Sequence, residues 1–161
     1  MSATKGLEIY LNDHLAGATA GTEMASKISA EHGSTPLGQS LGEIAREIQQ
    51  DKVTLEELMG RLQIEHDPIK QAAGWIGERL SRLKLSESMT GGPELKQLLE
   101  FETLSLGVEG KLSMWRTLLE VSSAHAALAE TDLDTLIKRA ENQRSKLEDH
   151  RLQVASQALS G

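Results

Sequence analysis

Apolar or small residues recur in steps of four and three along most of this chain. The first run is Leu7, Leu11, His14, Ala18, Gly21, Ala25 and Ile28. The second is Leu37, Leu41, Ile44, Ile48, Asp51, Leu55, Leu58 and Leu62. A third is Leu136, Ala140, Gln143, Leu147, His150 and Val154. Steps of four and three mark one face of a helix packed along its length. Seams of this length have to be buried against one another, which points to an all-α bundle. Aromatic residues are only 2% of the chain, so the core is aliphatic, and that favours helix over sheet.

Punctuation sets the layout. The first helix spans about 7–32 and ends at EHGSTP, with Gly33 as its C-terminal glycine. Thr35 reads as the next N-cap, with Pro36 at the first helical position. The second helix runs from Pro36 to about Leu62, and a Thr54/Glu57 capping box predicts a break near 51–54. Asp67 and Pro68 open a short third helix, about Pro68–Lys84, before the loop SESMTGGP. A fourth helix starts at Pro93 and is predicted to run to about Leu128. Thr131 with Asp134 then marks a fifth, about Asp132–Leu159.

Four long helices and one short one form a single domain over residues 1–161. The short helix, about 25 Å long at 1.5 Å per residue, serves as the crossover between two antiparallel hairpins. That order is the ferritin-like four-helix bundle.

Composition narrows the partners. The net charge is −7, from 17 basic and 24 acidic residues. This disfavours nucleic acid and anionic membrane, both of which need a concentrated basic face. Without cysteine there are no disulfides, thiolate nucleophiles or thiolate metal sites. Neither a signal-peptide apolar run nor a membrane-length apolar run is present, so a cytoplasmic location is expected. A homo-oligomer or a helical protein partner fits the remaining possibilities.

Two blocks, YLNDHLAGATAG (residues 10–21) and LGVEGKLSMW (residues 106–115), resemble those of a family of uncharacterised bacterial helical-bundle proteins. That family is similar in layout to the ferritin-like superfamily. The resemblance spans most of the chain and implies the fold, with no established chemistry attached.

A ferritin-like bundle raises the question of a di-iron site, which draws a Glu-x-x-His pair from each of two helices. None occurs here: Leu11, Ser29, Gln63, Ser122 and Leu147 precede the five histidines by three. Glu43 with Arg46, and Glu141 with Arg144, keep the spacing but put arginine where a ligand would stand. These pairs read as surface ion pairs or as relics of a metal site, and guanidinium is no ligand. His14, Asp51, Glu109 and His150 are the remaining candidates for a polar or metal site. By register in their hairpins, His14 lies level with Asp51 and Glu109 with His150. The two pairs fall at opposite ends of the bundle, so two hydrogen-bonded pairs are expected instead of one metal centre. Glu102 and Glu109 share a helix face and read as solvated or salt-bridged. A phosphate-binding loop and a nucleophile elbow are both missing.

Gly17, Ala18 and Gly21 sit beside His14. Small residues four apart let helix backbones approach closely. An intramolecular contact against the second or fifth helix is expected, with a dimer contact as the alternative. Taken together, the residues point to a metal-free bundle acting by binding or self-association and not by catalysis. The rival is a degenerate iron- or manganese-dependent protein, an oxidoreductase or iron handler.

Overall fold

The computed structural model describes residues 3–67 and 91–161. The predicted crossover helix at Pro68–Lys84 lies outside them. The described residues are helical with no strand. Helix α1 is Lys5–His32, α2 is Pro36–Arg61 and α3 is Gly92–Glu120. A 3₁₀ turn at Ser122–Ala124 and a single turn of helix, α4, at Ala126–Ala129 lead into α5, Leu133–Leu159.

The caps explain the boundaries. Thr4 accepts a hydrogen bond from the Leu7 amide at the start of α1, and Thr35 accepts from the Gly38 amide at the start of α2. Each satisfies one of the amides a helix N-terminus leaves unpaired. Gly33 ends α1 at φ 54°, a conformation glycine adopts without penalty.

Three predicted boundaries move. Helix α2 runs unbroken through residues 51–54, because Asp51 finds partners on other helices and interrupts nothing. Helix α3 stops at Glu120 instead of near Leu128, where the Ser122 hydroxyl donates back to the Leu119 carbonyl and competes with the helix ladder. The cap of α5 is Asp132, which accepts from the Thr135 amide and hydroxyl. The Thr131 hydroxyl turns away from α5, donating to the Ala127 carbonyl and accepting from Arg61 Nη2.

Packing gives the helix directions. Leu11 and Leu15 of α1 cluster with Leu58 and Met59 of α2, Trp115 and Leu118 of α3, and Leu133 and Leu136 of α5. Met24 and Ile28 cluster with Leu41 and Ile44, with Leu98 and Phe101, and with Leu147 and Val154. Helices α1 and α2 are therefore antiparallel, as are α3 and α5, and α3 runs in the direction of α2. The four long helices pack in up-down-down-up order, with the two hairpin connections at opposite ends. Asn12 fixes the chain beyond α2, donating to the Glu65 carbonyl and accepting from the Asp67 amide. No described helix is long and apolar enough to cross a membrane.

Candidate functional site

The two apolar clusters are separated at mid-height by a polar layer. Asp51, on the seam of α2, is 1% exposed. A bare carboxylate there would be costly, so it is surrounded by donors. Lys111 Nζ of α3 donates to Asp51 Oδ2 at 2.6 Å. Gln143 of α5, fully buried, donates through Nε2 to Asp51 Oδ2 at 3.2 Å and to Glu47 Oε2 at 3.1 Å. Its Oε1 accepts from Lys111. Arg139 Nε stands 3.0 Å from Asp51 Oδ1, out of line for a hydrogen bond, so that contact is electrostatic. Two carboxylates and two cations thus balance one another across three helices.

Beside this layer lies a cavity of about 330 Å³ between α1, α2 and α3. Ile48, Leu55, Leu104, Val108, Met114 and Trp115 give it apolar walls, and Asp51 and Lys111 border it from the polar layer. Exposed Asp13, Leu106 and Gly107 line it too, so it opens to the surface. Gly17 and Gly21 of α1 and Gly107 and Gly110 of α3 also line it. A methyl group built on any of these four would meet, among the described residues, no atom within 4 Å beyond its own turn of helix.

This corrects the expected role of Gly17 and Gly21. Among the described residues of the chain they bring no two backbones together; they border open space. Four glycines inside helices cost roughly 2–4 kcal/mol relative to alanine, and no close approach among the described residues requires them.

His14 and Asp51 line the same cavity but do not form the expected pair. Lys111 and Gln143 occupy the Asp51 carboxylate, while His14 lies edge-on to Tyr10 at 4.6 Å between ring centres. Burial pushes the His14 imidazole below its ordinary 6.5, against the opposing pull of Asp13. Glu109 and His150 do not pair either. Glu109 accepts from Arg144 Nη1 at 2.8 Å on the surface, and His150 Nε2 shares a hydrogen bond with the Ser40 hydroxyl at 3.0 Å. The four candidate residues therefore do not converge on one point. Glu141 and Arg144 do not bond to each other: Glu141 takes Arg116 at 2.8 Å and Arg144 takes Glu109, both across to α3. Glu43 and Arg46 form no ion pair with each other among the described residues. No group of three or more His, Asp or Glu suited to a metal ion occurs among the described residues.

Lys111 was not singled out from sequence, although a signal was there. Leu104, Val108, Lys111, Trp115 and Leu118 follow steps of four and three, placing the lysine on the packed seam of α3. Its ammonium is pushed below the ordinary 10.5 by burial, with Asp51 pulling the other way.

Compared with protein-family models, with curated proteins and with solved structures, the chain shows no match.

Proposed function

We propose that this protein is a binding bundle, ferritin-like in layout and acting without a resident metal, that takes a small apolar molecule into the cavity between α1 and α3. The observation that carries the reading is the set of four glycines around empty space. Helix propensity favours almost any other residue at those positions, yet all four line the cavity and none has a described neighbour that a Cβ would touch. The up-down-down-up order of two hairpins supports the ferritin-like layout. The volume and the lining, apolar with a few converging polar groups, match the lower end of small-molecule sites at about 300 Å³. A dry cavity of about 150 Å³ holds one benzene ring, so this one suits a two-ring molecule.

Naphthalene tests the reading. It should raise the melting temperature of the wild-type protein saturably, because a ligand that binds only the folded state stabilises it. Gly17→Leu/Gly21→Leu should fold, fill the cavity and lose that response. An absent response in the wild type, or an undiminished one in the filled variant, contradicts the proposal.

A further inference from the structure

Resting on that reading, we infer that the cavity selects a neutral two-ring-sized molecule carrying a hydrogen-bond acceptor oxygen, such as a ketone, and discriminates against carboxylates. Two buried wall residues have donors left over. Lys111 carries three N–H groups, and two of them go to Asp51 and Gln143. The third has no partner among the described residues, and the lysine side chain is only 13% exposed. Trp115 is fully buried, lines the same cavity, and its indole N–H has no acceptor among the described residues. Buried donors without acceptors are unfavourable, and a ligand oxygen relieves that.

Charge decides against an anion. Lys111 already faces Asp51 at 2.6 Å, and Arg139 faces the other oxygen of the same carboxylate. Glu47 completes a layer whose charges cancel. Exposed Asp13 adds a negative charge at the cavity, and Lys52, also lining it, is engaged by Glu56 at 3.5 Å. A carboxylate would enter an already balanced, partly buried site as an unmatched charge. A cation would be repelled by the Lys111 ammonium at the polar wall of the cavity. A neutral carbonyl takes the spare N–H and leaves the balance unchanged.

Three probes separate these outcomes: naphthalene, 2-acetonaphthone and 2-naphthoate, measured by calorimetry on the full chain. The ketone should bind about tenfold more tightly than the hydrocarbon, and the carboxylate more weakly than the ketone. Lys111→Met should reduce the ketone's advantage over naphthalene severalfold, and Trp115→Phe should reduce whatever remains. If Lys111→Met fails to fold, the wild-type ranking of the three probes still decides. Equal binding of ketone and hydrocarbon, or tighter binding of the carboxylate, overturns the inference and leaves the cavity a binding site. No binding by any of the three removes the binding reading itself.

Discussion

At the scale of single residues, Asp51 organises the middle of the molecule. Its carboxylate answers Lys111, Gln143 and Arg139 at once. Removing one partner of a buried ion pair typically costs about 3–5 kcal/mol, because the other charge is left uncompensated. Asp51→Ala should fall in that range by urea denaturation. Asp51→Leu/Lys111→Met should cost less than Asp51→Ala, since it removes the stranded lysine charge as well. The histidines give a second prediction. Burial lowers the pKa of both His14 and His150 from 6.5, against the adjacent Asp13 and Asp149. Below 6.5 the unfolded chain binds more protons than the folded one, so stability rises with pH up to that point and falls on acidification. NMR titration should find both imidazoles half-protonated below pH 6.5. His14→Gln should flatten the acid side of the stability curve, and an unchanged slope would count against this assignment.

At the scale of the helix, the glycines divide into two kinds. Gly17 and Gly21 border open space, whereas a methyl on Gly38 would collide with the Gly33 carbonyl oxygen and stand 2.8 Å from the His32 carbonyl. Gly21→Ala should therefore stabilise the protein by about 0.5–1 kcal/mol. Gly38→Ala should destabilise it, because backbone must move at the α1–α2 turn. Thermal denaturation of the two variants should give shifts of opposite sign. Sequence cannot separate the two kinds, since a helical glycine looks the same whether it faces a neighbour or a void. Helix type and order were readable from the four-three steps and from Gly33, Thr35 and Pro36. The end of α3 was not, because it depends on where the Ser122 hydroxyl turns back. Nor were the partners of His14 and His150. Register fixes height along a hairpin, but neither the direction a ring points nor a partner on a third helix such as Lys111.

At the scale of the whole molecule, two aliphatic clusters are joined through a polar layer with a cavity beside it. Sequence marked that level twice, through Asp51 on the second seam and Gln143 on the last. The void itself left no mark beyond the glycines, because empty space is a property of three helices together. The central claim is that this space admits a small neutral molecule. The most direct measurement is a ¹⁵N NMR titration with 2-acetonaphthone, since glycine amides resonate in their own region of the spectrum. Saturable shifts concentrated at Gly17, Gly21, Gly107 and Gly110, with Gly33 and Gly161 unmoved, are the predicted result. A spectrum in which those four amides stay fixed, or move no more than the rest, would contradict the account.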